Sequence, residues 1–183
     1  MKNRKGFYFI DTLFQISLVL LLLSFGLIYF RKLIEREELI KAKTEIYEVF
    51  TTYAIKAFNS RTSYDIELDY LKKKITISKM SVIDKEVIHL PRKLKYISIF
   101  EKQTQVKFKS KITSNGNITP SFSIYIFGYD NIAKYRISFY GFDLIKYMQI
   151  NVYKNIDDKT AKYDNILLFH NKWTTANPKW KEE

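Results

Sequence analysis

Three patterns of charged residues in this chain have spacings that could do chemistry. Asp65, Glu67 and Asp69 alternate just ahead of Leu71. At the two-residue period of a strand they share one face, and the pattern reads as one solvated strand face. Asp157, Asp158 and Asp164 offer oxygen donors of the kind calcium takes. The ligand-loop spacing with its turn glycine is absent, which argues against a calcium loop. Lys107, Lys109 and Lys111 also alternate, with Tyr and Phe nearby. They form a candidate basic stripe that could track the phosphates of a nucleic acid.

Other chemistry lacks its parts. His89 precedes Leu90-Pro91 without a partner motif, and His170 lies far from it in sequence. That is the pattern of a surface or hydrogen-bonded histidine rather than of an acid–base pair. The chain has no Cys, so disulfides, thiolate metal sites and a cysteine nucleophile are excluded. No Gly-rich phosphate loop, nucleophile elbow or zinc-binding pair occurs. The expectation is a protein that is not an enzyme and needs neither cofactor nor metal.

The lysine stripe sits in the clearest strand of the chain. Over Val106–Ile112, Val106, Phe108 and Ile112 are expected on one face and the three lysines on the other. Lys74–Ser78, Tyr96–Phe100, Ser121–Phe127, Lys134–Tyr140 and Leu144–Tyr153 complete a series of short strands. Ser114-Asn115-Gly116-Asn117 and Gly128-Tyr129-Asp130-Asn131 supply turns, with Gly116 free to take positive φ. Residues 61–153 therefore read as an antiparallel β head. In residues 154–183, Asp157-Asp158-Lys159 reads as a loop. Ile166–Phe169 and Trp173 are apolar enough to dock on the head. Asn177–Glu183 reads as a mobile end.

Ahead of the head lies a helix of two characters. Thr12–Phe30 is nineteen residues without a charge. At about 1.5 Å per residue they span about 28 Å, close to the hydrocarbon thickness of a bilayer. No Pro or Gly occurs between Leu27 and Asn59. From Leu39 onward apolar residues recur at helical spacing, at Leu39, Ile40, Ile46, Tyr47, Phe50, Tyr53, Ala54, Ala57 and Phe58. One helix is expected from about Phe7 to Phe58. Its half at 7–30 spans a membrane, and its amphipathic half at 31–58 packs on the sheet. The fold class is α+β.

The apolar run is too long for a cleaved secretory signal. Tyr29-Phe30-Arg31-Lys32 follows it, where such a signal would have small residues. A plain single-pass anchor fits, although basic residues on both sides leave its orientation open. Asp11 adds something an anchor does not need. An acid costs about 2.5–3.5 kcal/mol at a bilayer centre and less at the interface. It is either an interfacial cap or one partner of an ion pair.

The start of the chain reads Met1-Lys2-Asn3-Arg4-Lys5-Gly6-Phe7-Tyr8-Phe9-Ile10-Asp11. A short basic leader ends in Gly, an aromatic follows, and an acid stands five positions into the new chain. This resembles the N-terminus of type IV prepilins and type II secretion pseudopilins. The resemblance implies a leader of residues 1–6, cleavage by a prepilin peptidase between Gly6 and Phe7, and N-methylation of Phe7. It also implies an assembly role for Asp11, pairing with the terminal amine of a neighbouring subunit. Members of that family usually have Glu where this chain has Asp11, one methylene longer. The pattern of strands and the Asn-Gly turn is similar to H-type minor pseudopilins and D-type competence minor pilins. Those proteins end on strands around a Gly-Arg pair, and the matching place here is Gly141-Phe142-Asp143, without the Arg.

The resemblance implies a structural, minor filament subunit of a pilus, secretion or competence system. Its partners would be other pilin-like subunits, the prepilin peptidase and, before assembly, the cytoplasmic membrane, with the head outside the cytoplasm. Net charge is +12, divided as +3 over residues 1–58 and +9 over the remainder. A basic head could attract nucleic acid. However, 25 of the 31 basic residues are Lys rather than the better phosphate reader Arg, and general Lys-richness accounts for the charge. Co-expression with a prepilin peptidase should remove residues 1–6 and leave N-methyl-Phe7, read as intact mass. An unchanged mass with an active peptidase refutes the cleavage site.

Overall fold

The computed structural model of the chain describes residues 4–79, 85–141, 148–157, 161–171 and 179–183, with side chains from Tyr8 onward except at Asn171. One helix, α1, covers Arg4–Ser60. The chain divides into two units, residues 1–37 and 38–183.

In the first unit the apolar side chains of α1 point in every direction. All the large hydrophobic residues from Tyr8 to Phe30 are at least 48% exposed. The helix is long and apolar enough to cross a membrane. Gly26 does not interrupt it, and a Cβ there would meet open space.

In the second unit α1 has one buried stripe: Leu39, Ala42, Ile46, Val49, Phe50, Tyr53, Ala54 and Ala57. Ile40 and Tyr47, expected on that stripe, are each 42% exposed. The reason is angular. Ala42 and Val49 complete the stripe on the side that faces the sheets, and Ile40 and Tyr47 fall beyond its edge. The helix stops at Arg61, which takes φ 53°. Thr62 N then bonds Ala57 O at 3.2 Å, closing the last turn. The guanidinium of Arg61 lies 4.7 Å from the Phe58 ring centroid. This contact helps hold a left-handed position that glycine usually fills.

The strands form two antiparallel sheets, where a single sheet was expected. The smaller contains β1 (Tyr64–Asp69), β2 (Lys74–Lys79), β3 (Lys85–His89), β6 (Lys107–Ile112) and β7 (Ile118–Thr119), in the order β3-β2-β1-β6-β7. The larger contains β4 (Lys95–Phe100), β5 (Gln103–Gln105), β8 (Phe122–Phe127), β9 (Ala133–Tyr140), β10 (Gln149–Asn155) and β11 (Trp180–Glu182), in the order β11-β10-β9-β8-β4-β5.

The helix stripe packs on both sheets. The Phe50 ring lies 4.2 Å from that of Phe139 and 5.9 Å from that of Phe122, in the larger sheet. Tyr53 meets Tyr64 of the smaller sheet edge-on at 5.0 Å. Phe108 and Phe122, at 4.5 Å, join the sheets to each other. The buried hydroxyls of Tyr70 and Ser98, 2.7 Å apart, join them again. Val106, expected to point inward with Phe108, is 36% exposed and precedes β6. Its carbonyl accepts Tyr70 N at 3.0 Å, so there the chain bonds a turn rather than a strand.

Both faces of the larger sheet are covered. In β8 the even positions Phe122, Ile124 and Ile126 face the helix core, while Tyr125 and Phe127 face a second core. A register shift opposite Ile126 and Phe127 lets Ala133 join Phe127 in that second core while Tyr135 stays in the first. The second core is closed by a 3-10 turn at Tyr163–Asn165 and by α2 (Ile166–Asn171), with Ile166 buried.

The turns are those anticipated, with Gly116 at φ 73° and Asn131 at φ 61°. Gly141 is held by close approach. A Cβ there would stand 1.9 Å from Ile118 O, so no other residue fits without moving β7. Leu144 to Tyr147 of the last anticipated strand, Phe142, Asp143, Asp158, Lys159, Trp173, Asn177 and Pro178 lie outside the described residues.

The end of the chain is not the mobile segment the sequence suggested. Trp180–Glu182 pairs with Tyr153–Asn155 as β11. Trp180 also meets Tyr125 edge-on at 5.9 Å. Glu183 bonds Lys43 Nζ at 2.6 Å. His170 Nδ1 lies 2.8 Å from Tyr125 Oη on the same second core. Burial, with Arg136 nearby, pushes the His170 pKa down from 6.5 to about 4. A histidine with a lowered folded-state pKa stabilises the fold fully above its ordinary value and loses that contribution as pH falls through the gap. A fragment of residues 31–183 should be soluble and unfold in one transition, with stability falling from pH 6.5 toward 4. His170→Gln should flatten that limb in denaturant titrations. Absence of a cooperative transition would refute the head as a folding unit, and an unchanged slope in His170→Gln would clear His170.

Candidate functional site

Two sets of residues were candidates from sequence: the start of α1 with Asp11, and the lysines of β6. Gly6 and Phe7 fall in the first turns of α1, the Phe7 side chain lying outside the described residues. Asp11 lies one turn further along and is exposed. Its Oδ2 accepts a hydrogen bond from Gln15 Nε2 at 3.1 Å. Sequence reasoning passed over Gln15. The signal was its spacing of four from Asp11, which puts both on one helical face.

Three aliphatic hydroxyls of this segment bond its own backbone. Thr12 Oγ1 donates to Tyr8 O, Ser17 Oγ to Leu13 O and Ser24 Oγ to Leu20 O, each at 2.8 Å. Such bonds satisfy a hydroxyl without water. That matters in hydrocarbon, where an unpaired polar group is costly. Asp11 is the formal charge in this stretch, since Tyr8 to Phe30 contains no other Asp, Glu, Lys or Arg.

The lysines of β6 do share one face, but not alone. β6 pairs with β1 so that Lys107 stands opposite Asp69, Lys109 opposite Glu67 and Lys111 opposite Asp65. Lys107 Nζ reaches Asp69 Oδ2 at 3.7 Å. On the far side of the acids, β2 adds Lys74, Thr76 and Ser78. The two alternations read separately from the sequence are therefore adjacent columns of opposite sign. Asp65, Glu67, Lys109 and Lys111, with Thr76 and Ser78, line a groove of about 450 Å³ on the smaller sheet.

Asp69 is a correction to the solvated reading, being only 4% exposed. Lys72 N bonds its Oδ1 at 3.0 Å. That bond, with a smaller contribution from the Lys107 charge, holds the Asp69 carboxyl below its ordinary range against the opposing effect of burial. A lysine beside each acid presents less net potential to a polyanion than three lysines in isolation.

Two smaller grooves flank α1 within the second unit. One, between α1 and β3, includes Glu45, Tyr53 and Glu86. The Tyr53 hydroxyl donates to Glu86 there, and burial foremost raises the Tyr53 phenol above its ordinary value. Burial likewise raises the Glu45 carboxyl. The other groove, between α1 and β10–β11, includes Tyr47, Ile150 and Val152. His89 is exposed at the end of β3, opposite Lys74. Among the described residues no group of three or more His, Cys, Asp or Glu could hold a metal ion.

Comparison of the chain with family models, with curated proteins and with solved structures finds no match.

With Lys107, Lys109 and Lys111 changed together to Gln, the head should show the same duplex DNA binding and the same salt dependence as the parent, measured by anisotropy. A phosphate-tracking stripe would instead lose about one unit of salt slope per lysine, and that loss would restore the nucleic-acid reading.

Proposed function

We propose that this chain is a structural subunit, of the minor kind, in a type IV pilus-like, type II secretion or competence filament. A prepilin peptidase matures it by cutting after Gly6 and methylating Phe7. It waits in the cytoplasmic membrane as a single-pass protein with its head outside the cytoplasm, then enters a filament. The observation that carries the reading is Asp11, a lone charge at the edge of a helix half that is apolar all round. That half continues without a break into a helix buried against antiparallel sheets.

The physical logic is an exchange of surroundings. The apolar half trades lipid for the equivalent halves of neighbouring subunits, so its exposed side chains remain out of water throughout. Little hydrophobic free energy separates the two environments, and direction must come from a specific contact. Asp11 paired with the terminal amine of a neighbour supplies one, and in a low-dielectric core it also sets register. The paired columns on β1 and β6 favour this assembly reading over DNA capture.

Asp11→Asn separates this function from a plain membrane anchor. An anchor with an interfacial cap should tolerate Asn, which caps helices about as well as Asp. A subunit relying on the ion pair should lose about 3–5 kcal/mol at that contact. The variant should be processed and membrane-held yet missing from sheared filaments, while Asp11→Glu enters them at least as well as the native chain. Incorporation of Asn at the native level refutes the assembly role.

A further inference from the structure

Gln15 is a polar side chain of the uncharged span to which the filament reading gives no task. Between Tyr8 and Tyr29, the hydroxyls of Thr12, Ser17 and Ser24 bond carbonyls of their own preceding turn. They would do so in any surroundings. Gln15 instead spends its amide on a side chain, donating from Nε2 to Asp11 Oδ2 at 3.1 Å.

The direction of that bond follows from helix geometry. Helical side chains lean toward the N-terminus, so residue i+4 covers the turn that carries residue i. A glutamine four positions after an acid can therefore reach back to it. The acid is an aspartate, whose short side chain stays close to its own helix. A carboxylate has about four lone-pair sites, and one bond from Gln15 leaves Oδ1 for a second partner. In hydrocarbon a carboxylate without donors tends to give up its charge. The amide supplies from within the same helix part of the solvation that lipid withdraws.

Resting on the filament reading, we infer that Gln15 is a positioning residue. It fixes the Asp11 carboxylate against the helix and solvates Oδ2, so that Oδ1 is presented to the ammonium group of a second copy of this chain or of a sibling subunit.

Two measurements on the full chain test this. In bicelles of phosphatidylethanolamine and phosphatidylglycerol, the two Nε2 protons of 15N-labelled Gln15 should be well separated in chemical shift and slow to exchange with water. Asp11→Leu should collapse both properties, and an amide signal indifferent to Asp11→Leu overturns the pair. In cells that make the filaments, Gln15→Asn shortens the reach by one methylene. It should lower incorporation into sheared filaments by about three- to tenfold at equal membrane content. The double variant Asp11→Glu/Gln15→Asn returns that methylene from the other side and should restore incorporation, which a packing role at position 15 would not allow. Native incorporation of Gln15→Asn, or a double variant that stays defective, overturns the positioning role. Native incorporation of Asp11→Asn instead removes the assembly role from Asp11, and absence of the native chain itself from sheared filaments overturns the filament reading; in either case the amide signal decides the pair alone.

Discussion

Everything in this molecule depends on one helix meeting two different demands without a break. From Tyr8 to Phe30 its surface is apolar on all sides, which suits lipid or other apolar helices and does not suit water. From Leu39 to Ala57 it is apolar along one stripe only, and that stripe is buried. An α-helix can join such regions because its backbone groups are satisfied internally whatever surrounds them. The back-bonded Thr12, Ser17 and Ser24 extend the same principle to side chains.

The head is organised around the stripe. Phe50 stands against Phe122 and Phe139, and Phe122 against Phe108 of the other sheet. The helix therefore closes the angle between two sheets rather than covering one. The larger sheet, once covered by α1, still has an apolar second face in Tyr125, Phe127 and Ala133. That face needs a cover of its own, and the 3-10 turn, α2 and Trp180 provide it. The C-terminal residues are thus part of the head's structure, which is why β11 forms where composition alone suggested a frayed end.

What the sequence made legible was local. The helix followed from the stretch Leu27–Asn59 without Pro or Gly and from its apolar period; the turns followed from Gly116 and from Gly128–Asn131. The lysine strand followed from strict alternation, and its lysines do share a face. What stayed hidden were pairings between distant segments. Nothing in the period of β1 or β6 says that one lies beside the other, so their acids and lysines read as separate features. Nor could alternation reveal that eleven short strands would divide between two sheets. β3 has little apolar content, and β11 has three residues whose partners stand about 27 positions earlier, at Tyr153–Asn155. Such segments become strands only because an edge is there to pair with. Asp11 was visible as an anomaly of charge, whereas Gln15 is uncharged and drew no notice beside it.

The charge of the head gains a different meaning from this arrangement. A net +9 beyond residue 58 suggests a surface built to hold a polyanion. On β6, where the lysines are most regular, each has an acid directly across the ladder. The more exposed pairs, Lys109 with Glu67 and Lys111 with Asp65, contribute little to stability, about 0–1 kcal/mol each. Their effect is on specificity: opposite columns set the register of β1 against β6, because a shift of two residues would move Lys107 or Lys111 away from its acid. The basic residues of β6 then serve the sheet first. A partner drawn by the remaining charge would meet a surface of both signs, which selects a protein with matching columns more readily than a uniform phosphate backbone.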